Sequence, residues 1–389
     1  MAKRLFVIAG ELSGDAHGAG LLRALRPQHP ELQIRGFGGA AMRAAGGEGI
    51  TDWVEDAAVM GVWEVLKRYP WFKERFAAML EMLETWPPDV LLLIDYPGFN
   101  LRFAEAVRHE YPQTKIVYYI SPQVWAWHQS RIPKMAKMLD ELLCLFPFEK
   151  PIFEKAGLKT TFVGHPIVDE LEAARVKVPR EQTLVGLFPG SREREVARLF
   201  PLMIDSARKI YQNFPQATFQ VPAATPKLAE QIRALLETQG AGVPIEVSDG
   251  GSHLLMQRAT CAVIASGTAT LEAAYYQLPY CLVYRVAPLT YQLGKRLVKI
   301  PYIGLVNILA DRMIVREFIQ DAAEPRAIAE TLTEMLRSPE IRDHLREQLI
   351  TTAAMLGGIG AHVKAAAAVS SWLDAPAKVE NYSGFPLVS

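Results

Sequence analysis

A carboxylate stands directly after a short run of apolar residues. The run Val90–Ile94 predicts a buried strand, and Asp95 is the next residue. A carboxylate at the mouth of a buried strand loses part of its water, which raises its pKa toward that of a useful general base. The competing interpretation is that Asp95 only caps the helix that follows. The sequence therefore makes Asp95 a candidate catalytic base.

A second group of residues has the composition of a phosphate site. The strand predicted over Thr183–Phe188 is followed by Pro189, Gly190, Ser191 and Arg192, and then by a helix. Backbone N–H groups at a helix start and a guanidinium both bind phosphate oxygens. The segment lacks the G-K-[ST] of a Walker A loop, and a solvated helix face is the alternative. The strand–turn–helix context favours phosphate binding.

Small hydroxyl residues follow another predicted strand, Cys261–Ala265. They are Ser266, Gly267 and Thr268, and Glu272 comes about one helical turn later. Such residues at a helix start favour a second phosphate contact, and a carboxylate there accepts hydrogen bonds from both hydroxyls of a ribose. The alternative for Glu272 is a favourable interaction with the helix dipole.

The first predicted strand, Lys3–Ala9, leads into a glycine-containing loop. Its residues of interest are Gly10, Glu11, Ser13, Gly14 and Asp15. Glycines allow close approach of the backbone, and a helix start suits an anion or a polar sugar. The alternative is a tight turn in which Ser13 or Asp15 caps the helix. The loop is not G-x-G-x-x-G, and the second strand has no acidic end, which disfavours a nicotinamide dehydrogenase.

The segment Val59–Leu80 combines apolar and cationic residues. This composition is typical of an interfacial helix or an acyl-chain groove, although ordinary core packing is the more common explanation. A second mixed segment, with Arg285 and three cations between 295 and 299, has the make-up of a lipid-facing or a solvated helix. The candidate acyl or membrane contacts of the first segment are Met60, Val62, Trp63, Leu66, Trp71 and Phe72.

Composition excludes several classes of protein. The chain has 389 residues, with 42 Lys and Arg against 42 Asp and Glu, and this balance argues against nucleic acid as a partner. Three cysteines without C-x-x-C spacing and eight histidines without H-E-x-x-H argue against disulfides and metal. No Asp-x-Asp pair or G-x-S-x-G is present. Without a signal peptide or an apolar run of membrane-spanning length, the protein is predicted to be cytoplasmic.

The elements that position these residues alternate in a regular way. Short apolar runs are separated by longer amphipathic ones, which predicts parallel strands covered by helices on both faces. The pattern restarts near residue 183, so two doubly wound α/β domains are expected. The segment Gly164–Pro179 is the predicted linker, and the tail after Asp374 is predicted to be loosely ordered.

Together, the loops resemble those of the lipid-A-disaccharide synthase family of inverting glycosyltransferases. The matching segments occur in order from residue 10 to residue 320, and GE-x-SGD with SPQ-x-WAW is the most specific combination. The segments are GELSGD (Gly10–Asp15), GFGGAAM (Gly36–Met42), MGVWEV (Met60–Val65), IDYPGFN (Ile94–Asn100), YYISPQVWAW (Tyr118–Trp127), PFE (Pro147–Glu149), FVGHP (Phe162–Pro166), PGSRERE (Pro189–Glu195), SGTATLE (Ser266–Glu272), YR (Tyr284–Arg285), LVNIL (Leu305–Leu309) and REFIQ (Arg316–Gln320).

The resemblance implies the GT-B architecture. That architecture consists of two Rossmann-like parallel-sheet domains facing a cleft, with a C-terminal helix that crosses back to the first domain. Residues 1–165 are then an acceptor- and lipid-binding domain, and residues 166–355 bind the UDP-sugar. Residues 356–389 contain the crossing helix and the tail.

The resemblance also implies a reaction. UDP-2,3-diacylglucosamine donates its sugar to the 6-hydroxyl of 2,3-diacylglucosamine 1-phosphate (lipid X), which gives a β-1,6-linked disaccharide 1-phosphate and UDP. The sugar is transferred with inversion, and the reaction uses no cofactor or metal. The enzyme is expected to associate peripherally with the inner face of the cytoplasmic membrane.

Residue roles follow from the same resemblance. Asp95 is the base, Glu272 binds the ribose, and Arg192 with its helix start takes the leaving-group charge. Asn307 and the turn Ser266–Thr268 hold the diphosphate. Two departures from the family pattern are Val306 and Arg316, where the family commonly has proline, and they affect the loop near Asn307.

Other functions remain open at this point. One is a different UDP-sugar enzyme of the same fold, such as a lipid-linked GlcNAc transferase or a UDP-GlcNAc 2-epimerase. Another is a non-catalytic, nucleotide-binding membrane adaptor. Acyl-chain length is not readable from the sequence, and neither is the oligomeric state, for which a homodimer is one option.

Overall fold

Two compact units make up the chain. A computed structural model describes residues 2–57, 62–287, 291–292 and 300–376, with the side chains of residues 62–67 outside this description. Met1–Pro166 and Gly360–Ser389 form unit 1, and Ile167–Ile359 forms unit 2. Each unit contains one parallel sheet, which confirms the predicted α/β class with two Rossmann-like sheets.

The sheet of unit 1 has the strand order β3-β2-β1-β4-β5-β6-β7, with parallel pairing throughout. All five residues of β4 are buried, as expected for a strand that is covered by helices on both faces. The strands are β1 Arg4–Ala9, β2 Gln33–Gly38, β3 Ile50–Asp52, β4 Val90–Ile94, β5 Lys115–Tyr119, β6 Glu141–Cys144 and β7 Thr160–Phe162.

Helices connect these strands and cover the sheet. The longest, α4, includes Pro70 in its interior. The helices that precede unit 2 in the chain are α1 Leu12–Leu25, α2 Ala40–Gly46, α3 Val54–Ala57, α4 Val62–Thr85, α5 Pro97–Glu110, α6 Val124–Trp127, α7 Ile132–Met138 and α8 Glu149–Glu154.

The sheet of unit 2 has the order β10-β9-β8-β11-β12-β13 and is also parallel. The amphipathic helices α10 and α15 pack together and bury their apolar faces in the core. The strands are β8 Leu184–Phe188, β9 Thr218–Ala223, β10 Ile245–Asp249, β11 Cys261–Ala265, β12 Tyr280–Tyr284 and β13 Glu317–Ile319. The helices are α9 Ile167–Ala173, α10 Glu193–Asn213, α11 Pro226–Gln239, α12 Ser252–Arg258, α13 Ala269–Tyr275, α14 Leu305–Ala310, α15 Pro325–Arg337 and α16 Pro339–Ala354.

The last helix, α17 (Ala361–Asp374), belongs to unit 1 and packs against α1. Its C-terminal end is held by the buried Lys115, whose Nζ donates to the carbonyl oxygens of Trp372 at 2.8 Å and Ala375 at 2.6 Å. An ammonium group at a helix C-terminus satisfies carbonyls that have no partner within the helix. The sheet thus fixes α17 in unit 1.

Both strand orders reverse direction at one place, between β1 and β4 in unit 1 and between β8 and β11 in unit 2. In open parallel sheets, ligands bind outside the carboxyl ends of the strands at such a reversal. The candidate loops identified in the sequence follow these four strands. The loops after β1 and β4 therefore lie side by side in unit 1, and the loops after β8 and β11 lie side by side in unit 2.

The boundary between the two units, after Pro166, lies inside the segment predicted as a linker. That segment also contains α9, which was not predicted; its first turn carries Asp169 and Glu170, residues that favour a helix start. The three-residue strands β3 and β13 lie at sheet edges and are too short to give a periodic signal. Within the described ranges, the structure has no helix with the length and apolarity needed to cross a bilayer.

Candidate active site

Asp95 lies at the C-terminal end of β4 in a strained backbone conformation. Its φ angle is +46° and that of Tyr96 is +51°, a region that residues other than glycine seldom occupy. Its N–H donates to the carbonyl oxygen of Tyr119 at 2.9 Å. Its carbonyl oxygen accepts from the Tyr118 hydroxyl at 2.6 Å and from Asn100 Nδ2 at 2.8 Å. These three hydrogen bonds hold a conformation that costs about 1–3 kcal/mol, and such strain is characteristic of functional sites.

The environment of the Asp95 carboxyl group suits a base. Burial first, and then the negative charge of Glu11, raise its pKa to about 6, although a hydrogen bond from the Tyr96 N–H acts in the opposite direction. Near pH 7 the group is ionised and still more basic than an exposed aspartate, so it is able to accept a proton.

The glycine loop after β1 lies beside Asp95 because β1 and β4 are neighbours. A Cβ atom on Gly10 would be 2.3 Å from the Tyr96 ring, so only glycine lets this ring pack against the loop. Glu11 and Ser13 are exposed at the start of α1, and Gly14 is buried against the end of β4.

The Asp15 side chain, near the start of α1, contacts the start of α2. It is buried, and its carboxylate accepts hydrogen bonds from the backbone N–H groups of Gly39 at 2.7 Å, Met42 at 2.9 Å and Ala41 at 3.0 Å. Because these groups form the start of α2, Asp15 caps that helix. The capping role left open in the sequence is thus seen at α2 rather than at α1, and the contact of Asp15 with the acceptor stays a prediction.

Glu149 is a buried acid in unit 1 that sequence reasoning did not single out as a site residue. Its Oε1 accepts from Trp125 Nε1 at 2.9 Å, and its Oε2 accepts from the Phe146 N–H at 3.0 Å. Burial raises the pKa of Glu149 to about 7, although these hydrogen bonds lower it. The carboxylate joins the loop after β5 to the loop after β6, two segments that both carry motifs of the family.

The amphiphilic segment forms α4 and packs on the sheet through aromatic residues. Trp71 stacks on Trp53 with ring centroids 5.8 Å apart, and Phe72 lies 6.3 Å from Phe99. Trp71 therefore contributes to packing within unit 1. Met60 is outside the described residues, and so are the side chains of Val62, Trp63 and Leu66.

In unit 2, the loop after β8 presents an exposed cation. Gly190 has a φ of +111°, which favours glycine and turns the chain into α10. The Arg192 side chain is 69% exposed and its Nη1 lies 2.9 Å from Glu195 Oε1. An exposed pair of this kind contributes little to stability, so a phosphate is able to replace the carboxylate.

The loop after β11 lies next to this one, because β8 and β11 pair in the register Phe188 with Ile264. Gly267 and Thr268 are exposed there, and Ser266 is half-buried. Glu272 on α13 is 17% exposed, with its Oε2 3.4 Å from His253 Nε2. Burial raises the pKa of Glu272, while His253 and the Thr268 hydroxyl lower it. His253, on the neighbouring α12, was missed because it is close to Glu272 only in the folded chain.

Asn307 lies in the interior of unit 2. It is fully buried, and its Nδ2 donates to the Val315 carbonyl oxygen and to Glu317 Oε1, each at 2.8 Å. Its Oδ1 accepts from the N–H groups of Ile314 and Val315. Because these partners occupy all the hydrogen-bonding positions of the amide, a contact with the diphosphate requires an exchange of partner, and this contact stays a prediction.

Neither departure from the family pattern introduces a polar group at the loops after β8 and β11. Val306 is fully buried beside Asn307 in α14. Arg316 lies over the Phe318 ring at 4.9 Å and donates to Thr331 Oγ1 at 3.2 Å. Both residues therefore contribute to packing in unit 2.

Each unit is a parallel sheet of the Rossmann type with polar loops at its strand-order reversal, and a pair of such sheets in one chain is the GT-B fold class. The chain is similar to a putative UDP-N-acetylglucosamine 2-epimerase from Listeria monocytogenes, with a TM-score of 0.63 and 14% identity over 95% of this chain and 96% of that one. It is also similar to the calicheamicin glycosyltransferase CalG4, with a TM-score of 0.57 and 14% identity over 96% and 100%. These likenesses show the fold alone.

Sequence relatives narrow the class to a family. The family model described as lipid-A-disaccharide synthetase matches residues 5–369. Lipid-A-disaccharide synthase from Trichlorobacter lovleyi is 40% identical over 380 residues, which cover 96% of this chain and 98% of the relative. The enzyme of that name from Pseudomonas paraeruginosa is 42% identical over 343 residues, or 86% and 89%. The chain belongs to the lipid-A-disaccharide synthase family of glycosyltransferases, and the resemblance seen in its loops is confirmed.

Proposed function

We propose that this chain transfers 2,3-diacylglucosamine from its UDP conjugate to the 6-hydroxyl of 2,3-diacylglucosamine 1-phosphate. The observation that carries the proposal is Asp95 at the strand-order reversal of unit 1: its backbone is strained, and its carboxyl group is partly desolvated, with a pKa raised to about 6. Family membership supports the choice of substrates.

In the proposed reaction, Asp95 accepts the proton of the acceptor hydroxyl as its oxygen attacks the anomeric carbon. The bond from that carbon to the UDP oxygen breaks on the opposite face, so the configuration inverts. Negative charge that develops on UDP is stabilised by the N–H groups of Gly190 and Ser191 and by the Arg192 guanidinium. The products are a β-1,6-linked disaccharide 1-phosphate, UDP and a proton.

The remaining donor contacts are assigned to the loop after β11. The hydroxyls of Ser266 and Thr268, with the backbone at Gly267, contact the diphosphate, and Glu272 binds the ribose hydroxyls. Half-burial of Glu272 and its pairing with His253 support this role because they fix the direction of the carboxylate. Asn307 is also assigned to the diphosphate, which requires its side chain to exchange a partner, since its present hydrogen bonds shape the chain between α14 and β13.

The acceptor sugar is assigned to the glycine loop of unit 1. Gly10 and Gly14 allow close approach, and the exposed Glu11 and Ser13 offer hydrogen-bonding groups for sugar hydroxyls. Adjacency of β1 and β4 supports the assignment, since it brings these residues to the base.

Membrane contact is assigned to α4 and to the segment that precedes it. The exposed Tyr69 at 57% and the mixed apolar and cationic composition support binding at the inner surface of the cytoplasmic membrane. Sedimentation with anionic and zwitterionic vesicles tests this assignment. Replacing Val62 and Leu66 by serine is expected to lower the bound fraction while the circular dichroism spectrum stays unchanged.

Mass spectrometry of products after incubation with both acylated glucosamine substrates tests the proposed function. The expected product is the tetraacyl disaccharide 1-phosphate, with one UDP released per disaccharide. Donor alone is the control, because an epimerase would convert it without acceptor. UDP binding with no product from either mixture would instead indicate a non-catalytic adaptor.

A further inference from the structure

A cavity of about 510 Å³ lies in unit 1 between α4 and α5. Its walls are largely aromatic, with Phe72 and Phe76 from α4 facing Tyr96 and Phe99. An apolar cavity of several hundred Å³ with a few polar groups is typical of a site for a small apolar ligand. Tyr96 follows Asp95 in the chain, so the cavity begins beside the candidate base.

Two cations line the same cavity. Lys73 extends from α4 and Arg102 from α5, and both are exposed. In the described part of the chain neither has an ion-pair partner. Some of the other exposed or half-exposed cations of unit 1 do have one: Lys134 lies 3.4 Å from Glu105, and Arg108 lies 2.6 Å from Asp140. Two uncompensated positive charges beside an apolar cavity complement a ligand that combines a hydrocarbon chain with an anion.

We propose that this cavity holds an acyl chain of the phosphorylated acceptor and that Lys73 and Arg102 bind its phosphate. The inference rests on the proposed function, which supplies an acceptor with both groups. Of the two lipid substrates, the acceptor is the one with a terminal phosphate next to its sugar. The pair therefore selects the phosphorylated acceptor over its dephosphorylated form.

Gly98 gives direct access to the cavity. It lines the space, and a Cβ atom built there meets nothing within 4 Å. Its φ is not in the left-handed region that favours glycine, so a larger residue fits the backbone of α5 without strain. Gly98→Leu would place a side chain in the volume assigned to the acyl chain.

The charge experiment compares steady-state kinetics with 2,3-diacylglucosamine carrying or lacking its 1-phosphate. For Lys73→Gln/Arg102→Gln, KM for the phosphorylated acceptor is expected to rise about 10- to 100-fold, as for lost charged hydrogen bonds, with donor KM unchanged. KM for the dephosphorylated acceptor should not move. The matched control is Lys137→Gln/Lys155→Gln, which removes two exposed charges of unit 1 that do not line the cavity.

The volume experiment uses acceptors of increasing acyl length. Gly98→Leu is expected to raise acceptor KM for long chains by about tenfold, the loss of one or two buried methylenes, and to spare short chains. Gly358→Leu is the control, because Gly358 in unit 2 also has open space around its Cβ position. Circular dichroism of all variants checks that they fold.

Wild-type turnover separates the two proposals. If wild type makes no disaccharide, the proposed function fails and the variants are not needed to show it. If wild type is active but the charge variant loses equally with both acceptors, or loses only vesicle binding, the phosphate assignment is overturned and the cations contact bulk phospholipid. Equal effects of Gly98→Leu at all chain lengths would overturn the acyl assignment.

Discussion

The two strand-order reversals of this molecule carry opposite kinds of site. In unit 1, Asp95 is enclosed, and three backbone hydrogen bonds hold its left-handed conformation. In unit 2, Arg192 extends into solvent and is paired with the half-buried Glu195. The Asp95 carboxylate is partly desolvated and therefore more basic, whereas the Arg192 guanidinium is exposed, as its proposed contact with UDP requires.

The difference follows from the chemistry required of each group. Desolvation makes a carboxylate a stronger base, because the ionised form loses more solvation than the neutral form. A guanidinium stays charged in either environment, so burial would add only a desolvation cost. Substitution of Asp95 should therefore lower the rate of the chemical step, and substitution of Arg192 should weaken nucleotide binding as well.

The largest effect is expected for Asp95→Asn. The amide keeps the size of the side chain but accepts no proton, so kcat should fall by ~10²–10⁴ while UDP affinity stays within twofold. Product formation by mass spectrometry and UDP titration calorimetry measure the two quantities. Turnover within a few-fold of wild type would place the base elsewhere.

Arg192→Ala is expected to weaken UDP binding by about 10- to 100-fold, as for a lost charged hydrogen bond, and to lower kcat as well. Arg194→Ala is the matched control, since Arg194 is an exposed arginine two residues further along the chain. Unchanged UDP affinity in Arg192→Ala would remove this residue from the phosphate site.

The sequence was a good guide to the sheets and to the place of Asp95 at the end of a buried strand. Continuous apolar runs such as Val90–Ile94 mark strands buried on both faces, and a carboxylate at the end of such a strand is visible in the sequence. The left-handed backbone at Asp95 was not visible, because it depends on Tyr118 and Asn100 from other elements.

The partners of Asp15 and Asn307 were not predictable from the sequence, for a common reason. Both are polar residues in family motifs, and both make hydrogen bonds with backbone groups of other segments. A motif shows which residue type is present but not which partner it meets. Glu149 and His253 illustrate the converse, since their partners Trp125 and Glu272 are brought close only by folding.

The pH dependence of kcat/KM gives a smaller effect that also distinguishes Asp95 from Arg192. The base must be ionised to act, and the pKa of Asp95 is raised to about 6. Activity should therefore be lost as pH falls through 6, with kcat/KM decreasing about tenfold per unit below that value. KM for the UDP-sugar donor should show no inflection there, because the diphosphate of the donor is a diester, whereas the terminal phosphate of free UDP itself titrates at about pH 6. A rate profile flat from pH 7 down to 5 would contradict the assigned base.

The smallest expected effect is on the pH at which kcat/KM begins to fall. Burial is the main cause of the raised pKa of Asp95, and the charge of Glu11 is the second. Because Glu11 is exposed, solvent and salt screen its contribution, so Glu11→Gln should lower the inflection by a few tenths of a unit only. Glu31→Gln, which removes an exposed charge elsewhere in unit 1, is the control. Raising the ionic strength should lower the pH of the inflection in wild type and leave that of Glu11→Gln unchanged. An inflection at higher pH in Glu11→Gln would show that the two carboxylates do not interact as inferred.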